Sequence, residues 1–392
     1  MVASCVLGIA ANLTYMALPV MLGVAADAAH LDESQVGWLG SVEVSGMLVG
    51  ALTFLLLVRS HRLRALGLVA LIAVAVGALA LLLASGFTGF AVARAVGGFG
   101  AGLGNSLAVV CMGYTLSAAR NQGRLNASII FCGALCLATF GWSGERWGLA
   151  GVVWPIMLLA VIGVIGIPFL PVPAEKATIE TTDAPAPISP SPASTSAALL
   201  GTWLLAATLS QLAPAAGWAY AERVGVEVGL STGHVGVLLT AATLLSAACC
   251  LGAHRASARW GSLPCTALCV GCLLIGFASW AIPNAGAVGY GARLAAITTF
   301  WALLTVFQIT GMAELARSAK WMSSVPLAQN LGAAIGPGIG AVLSGGNRTL
   351  QDSLSGCSLL LALPLLIVTA IAIGRRNSLL SKPLTEDSHE HP

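Results

Sequence analysis

Charge is what this sequence has least of. Of its 392 residues, 18 are Lys or Arg and 15 are Asp or Glu, together 8% of the chain. A soluble domain carries about 25% charged residues, so a fully water-facing surface is excluded and lipid must be the main solvent. The net charge of +3 comes from short clusters between apolar runs, not from the basic face that a nucleic-acid partner requires. No glycine loop of the phosphate-cradling type is present, so nucleotide hydrolysis is not the expected energy source. The apolar segments hold no histidine, and Glu43 is the only acid placed well inside an expected span. A paired acid and base or a metal set is therefore missing, and neither an enzyme nor a cofactor is expected. The ten cysteines all fall in apolar segments, where Cys behaves as a small hydrophobe. Cys265, Cys269 and Cys272 share a helix face, but a metal there would need thiolates in hydrocarbon. No basic leader precedes the first apolar run, so no cleaved signal peptide is expected.

What is present is apolar sequence, 57% of the chain. A membrane helix needs about twenty apolar residues, and twelve such stretches are found. The first six lie near 2–26, 36–58, 65–83, 87–114, 125–142 and 149–170. The second six lie near 198–221, 235–253, 263–282, 287–312, 322–343 and 354–373. The expected fold is an all-α polytopic membrane protein of two six-helix halves, residues 1–172 and 198–374. Between them, 173–197 is rich in Pro, Ala, Ser and Thr and reads as a flexible linker, and 375–392 forms a tail. Thirteen Lys and Arg fall in loops on the side of the linker and both termini, against Arg146, Arg223 and Arg348 on the other. By the positive-inside rule the linker and termini are cytoplasmic. Trp38 and Trp147 sit near span ends as interfacial anchors.

The halves are copies. A shift of 199 positions lays Leu31–Gly37 over Leu230–Gly236, Asn12 over Gln211, Ser106 over Thr305, and Arg94 over Arg293. Two rare intramembrane arginines in register make chance a poor explanation. Such repeats are typical of secondary transporters, in which the solute sits at the midplane between the halves.

Arg94 is followed by Gly97, Gly98, Gly100, Gly102 and Gly104, ending at Asn105. With the six-plus-six spans, the central linker and the basic loops after the second and eighth spans, this resembles the major facilitator superfamily across essentially the whole chain. Residues 255–261 (RASARWG) look like a worn copy of that family's loop motif. Val58 and Ala258 stand where the resemblance calls for an acid, and the family's fifth-span Gly-Pro motif is missing. A similar stretch, Gly336 to Gly340 around Pro337, occurs in the eleventh span instead. The resemblance implies alternating access, a cell-membrane location, action as a monomer, and a cavity lined by spans 1, 4, 7 and 10.

The candidate site follows from polar residues inside those spans. Arg94, Gly98, Ala101 and Asn105 lie on one helical face, and Asn12, Tyr15 and Pro19 make a stripe on span 1. Their counterparts are Gln211 and Trp218 on span 7, with Arg293, Trp301 and Gln308 on span 10. Gln329 and Asn330 on span 11 belong to the same class, and Pro214 and Pro337 read as kinks. Amides at such places either bind solute or join helices. A charge inside a span costs several kcal/mol, so Glu43 is either a proton-coupling carboxylate or one half of a permanent pair with Arg94. Two arginines against one acid leave a positive cavity. That favours a small organic anion taken up with protons, the alternative being proton-driven efflux of drugs or amphiphilic metabolites.

Overall fold

The computed structural model describes residues 2–57, 63–113, 118–170, 197–282, 286–315, 319–344 and 349–380. Seven helices form the first half: α1 Val2–Met16, α2 Leu18–Ala29, α3 Glu33–Leu57, α4 Leu63–Leu83, α5 Gly86–Gly113, α6 Ala118–Trp147 and α7 Leu149–Gly166. The second half is α8 Ala197–Glu227, α9 Thr232–Trp260, α10 Ser262–Ala278, α11 Gly286–Leu315, α12 Ala319–Ser344, α13 Leu350–Gly356 and α14 Ala362–Leu380. Up to Ala197 the expected linker lies outside the described residues, as do Val58 and Arg59 of the first loop motif and the tail beyond Leu380.

Twelve spans result. Among the described residues nine segments are long and apolar enough to cross a bilayer, and the bent α1–α2 pair makes a tenth. The other two are α5 and α12, whose hydropathy is diluted by glycine and by Arg94, Asn105, Gln329 and Asn330. Both helices are packed among other helices, where small residues serve better than large apolar ones.

Prolines set the irregular points. Span 1 bends by 52° at Ala17, because Pro19 has no N–H for the Tyr15 carbonyl and its ring crowds that turn. Pro155 likewise frees the Gly151 carbonyl in α7, and the Ser143 hydroxyl donates to it at 2.8 Å. One residue, Gly148, joins α6 to α7 at φ 55° and ψ −138°, a conformation open essentially to glycine alone. The 255–261 stretch is a helix end, not a loop. Its residues tolerate helix, and α9 runs on to Gly261, which closes it at φ 83°.

For position, the end of the bundle that holds Val2 and Leu380 is called terminal and the opposite end distal. The hydrophobic core has a forked shape. At the distal end one cluster joins both halves, from Leu18, Leu22, Val36 and Phe140 to Ala216, Tyr220, Val235 and Leu239, and within the second half it continues along α9 and α10 to Ala253 and Cys265. Towards the terminal end it divides. Leu7, Phe54, Leu66, Leu107 and Ile167 form a cluster within the first half, and Leu200, Trp203, Met312, Val325 and Val368 form another within the second.

The inter-half packing repeats the sequence repeat. A Cβ on Gly37 of α3 would press on the Pro337 carbonyl of α12, and one on Gly236 of α9 would press on the Leu137 carbonyl of α6. Gly37 and Gly236 are 199 apart. The same element of each half therefore docks on the opposite half through the same glycine.

Candidate functional site

The second half carries an amide cluster at the fork. Gln308 of α11 is its hub and is buried. Its Oε1 accepts from Gln329 Nε2 at 2.7 Å and from Gln211 Nε2 at 3.3 Å, and its Nε2 donates to the Ser210 hydroxyl at 2.5 Å. Trp203 Nε1 donates to the Gln308 carbonyl at 3.1 Å, and Trp301 Nε1 donates to Gln211 Oε1 at 2.5 Å. Spans 7, 10 and 11 are thus tied by a connected set of side chains, in a setting where an unmade hydrogen bond is costly.

The first half has a smaller version. Asn12 Nδ2 of α1 donates to Asn105 Oδ1 of α5 at 2.8 Å and to the Gly8 carbonyl at 2.9 Å. Asn12 is the repeat partner of Gln211, so a span 1–span 4 amide pair mirrors the span 7–span 10 pair. Aromatic residues connect the two. Trp218 Nε1 donates to the Tyr15 carbonyl at 3.3 Å, taking the oxygen that Pro19 releases. Trp218 also meets Trp301 edge to face at 6.2 Å. The Tyr15 ring packs on Val44, Ala215, Ala333 and Ala334, reaching across to the other half.

The charged candidates lie elsewhere, with Arg293 apart from the other two. Glu43 of α3 and Arg94 of α5 form an ion pair, fully buried at the acid and nearly so at the arginine. Arg94 Nη1 also meets the Met21 sulfur at 3.4 Å. Neither Glu43 oxygen has a hydrogen-bond partner besides this pairing. Arg293 is half-buried, donates from Nη2 to the Ile282 carbonyl at 2.7 Å, and stacks over Trp280 at 5.1 Å. The two arginines have similar depth but share no partner. Among the described residues no acid pairs with Arg293.

A closed distal seam lies above the fork. The Tyr220 hydroxyl donates to the Glu33 carbonyl at 2.6 Å. Gly338 N–H donates to the Ser41 hydroxyl at 2.6 Å, Gly233 N–H to Glu145 at 2.6 Å, and the Thr240 hydroxyl to the Ala134 carbonyl at 2.7 Å. Arg223 pairs with Asp27 at 2.7 Å. These contacts join the halves, and all of them are distal.

The expectation that Glu43 is the only acid inside a span is corrected by Glu222. Its side chain is fully buried in α8, which runs on to Glu227. Hydropathy falls at Ala-Glu-Arg, so a sequence window stops at Ala221, whereas the helix continues because its end packs on the other half. Arg223, counted by sequence as a loop charge, belongs to the same seam. Among the described residues no group of His, Cys, Asp and Glu is placed to hold a metal.

Two pseudo-symmetric helical halves enclosing a polar fork describe a multi-pass membrane transporter. The chain belongs to the Major Facilitator Superfamily, whose sequence profile matches residues 1–337. No curated protein matches the sequence. The fold is similar to those of the nucleoside transporter NupG (11% identity, TM-score 0.71, 95% of this chain and 98% of that one), and of a bacterial homologue of the human lysosomal transporter Spinster in an inward-facing, unoccupied conformation (12% identity, TM-score 0.73, 95% and 96%). It is also similar to that of a D-xylose–proton symporter (15% identity, TM-score 0.70, 93% and 94%).

Proposed function

We propose that this transporter is a secondary active carrier, moving a small organic solute across the cell membrane by alternating access with protons as the coupling ion. The observation that carries the reading is the forked core, in which the halves share a cluster at the distal end and keep separate ones at the terminal end, with an amide pair of each half near the fork. Such a molecule reaches its other state by parting at the distal seam and closing at the terminal end. The thirteen-to-three loop charge count makes the distal end extracellular, so the conformation described here faces the cytoplasm. The inward-facing Spinster homologue among the structural neighbours is in keeping with this.

Asn12, Asn105, Gln211 and Gln308 supply hydrogen bonds to the solute, and Tyr15, Trp218 and Trp301 supply flat apolar surface. Glu43 carries or gates the proton: its carboxyl group is buried beside one arginine and has no further donor to hold its charge. A small organic anion remains the solute reading, now resting on Arg293 alone. That guanidinium has a carbonyl and an indole for partners, but no acid among the described residues. It also sits on the helix of Trp301 and Gln308, eight and fifteen residues before them. A second reading, an uncharged polar solute, is favoured by the mutual neutralisation of Arg94 and Glu43.

Flux into proteoliposomes tests these assignments. Glu43→Gln should abolish accumulation against a gradient while solute exchange persists; unchanged, pH-dependent accumulation would return Glu43 to a structural role. Arg293→Lys keeps the charge but loses the planar fork, and should weaken organic-acid binding about tenfold, about 1.4 kcal/mol. Competition by neutral compounds alone would select the second reading, and flux directed only outward would select efflux.

A further inference from the structure

Glu222 has no part in the scheme above, yet it lies in a tightly packed place in the distal seam. Its carboxyl group is fully buried. The Thr232 hydroxyl donates to Oε1 at 2.7 Å, while Oε2 has no hydrogen-bond partner. A Cβ added to Gly23, on α2 of the opposite half, would collide with this carboxyl group. The acid is therefore pressed against the backbone of the other half, and it is uncovered when the seam parts.

No neighbouring group donates a hydrogen bond to Oε2. The nearest cation is Arg223, with Nε at 3.8 Å. Its Nη2 is committed across the seam, to Asp27 at 2.7 Å and to the Gly23 carbonyl at 3.0 Å, while the Nε that faces Glu222 makes no hydrogen bond. Glu33 faces the same region from α3, with a buried Oε2 that also lacks a hydrogen-bond partner. From α11 the Tyr290 hydroxyl is engaged by the Ala221 carbonyl at 2.7 Å. From α6 and α9, Glu145 is taken by Gly233 N–H at 2.6 Å and His234 by the Ser231 hydroxyl at 2.9 Å. One cation thus faces three carboxyl groups, and Asp27, the most exposed, holds it in closest contact, with Glu222 a full ångström further off. A carboxylate shut away from water without its own cation is the costly form, so closure favours the protonated acid.

We propose that Glu222 is a proton-binding site that governs the distal gate: protonated, it lies against Gly23 with the seam closed, and ionised, it moves to water as the halves part. Closure takes up one proton at the carboxyl group, and opening releases it to the distal solution. Acid therefore favours the closed distal seam and alkali the open one. The assignment rests on the alternating-access reading and adds to Glu43 a second proton site in a different place.

Spin labels at Ala28 and Val226, exposed on α2 and α8, would report the gate. Distances are read by double electron–electron resonance on the cysteine-depleted full chain in lipid nanodiscs, from acid to alkaline pH. The parent chain should shift from a short to a long distance as pH rises. Glu222→Gln should stay short throughout, and Glu222→Asp, which keeps the acid, should recover the response. A Glu222→Gln chain that shifts like the parent overturns the assignment, as does a parent that does not shift. Gly23→Trp separates this from failure of the transporter reading, since the ring has no room in the closed seam. A long distance in Gly23→Trp beside an unresponsive parent leaves alternating access standing and removes Glu222. A short one removes both.

Discussion

At the scale of single residues the Glu43–Arg94 pair is the clearest liability in the molecule. Two charges are buried among apolar helices, and the acid has no helper donor. Desolvation offsets much of the attraction within such a pair, but deleting one partner leaves the other uncompensated. Arg94→Ala should therefore cost about 3–5 kcal/mol, seen as a lowered midpoint of thermal unfolding in detergent. The double replacement of Glu43 and Arg94 by Gln should recover most of that loss. If the single and double variants unfold alike, the two charges are not coupled in the way the geometry implies.

At the scale of elements, close approach of helices depends on missing side chains. On α5, a Cβ at Gly98 would meet the Glu43 carbonyl and one at Gly102 the Met47 carbonyl, so α3 lies directly on the α5 backbone. Lipid supplies no hydrophobic drive between helices, and this contact is how the two are held together. Gly98→Val should push α3 away and destabilise the fold by about 1–3 kcal/mol, measured by the same melt. The damage should include the Glu43–Arg94 pair, which bridges the same two helices. A fully stable Gly98→Val chain would mean that α3 and α5 are further apart than described.

At the scale of the whole molecule, orientation is testable through the linker. Ser194→Cys in a cysteine-depleted chain should resist impermeant thiol reagents applied outside intact cells and react once the membrane is opened; labelling from outside would invert the topology. The sequence made the twelve spans, the repeat and the amide stripes legible, because each is a periodic or composition signal within one segment. Asn12 with Asn105 and Gln211 with Gln308 met as the shared face of spans 1 and 4, or 7 and 10, suggests. Arg293 shows where such reading stops. Its depth follows from residue counting, but its direction is set by a carbonyl at the end of another span. Glu222 was hidden for a related reason, since a hydropathy window sees a fading helix where the structure has an interface. The closed distal seam is contact information alone, assembled from residues as far apart as Ser41 and Gly338.

The bend in span 1 has a kinetic meaning. Pro19 strips the Tyr15 carbonyl of its helical partner, and Trp218 from the other half supplies a new one. On the proposed alternating-access reading this bond exists only while the halves are together there, and each transport cycle would break and remake it. An interaction present in a resting state and absent on the way out of it slows departure. Its net worth of about 1 kcal/mol corresponds to roughly a fivefold change in rate. Trp218→Phe keeps an aromatic ring but removes the donor. The exchange between conformations, followed by single-molecule fluorescence, should then quicken by about that factor. Span 1 would thus act as the molecule's timer, with the indole N–H setting its period.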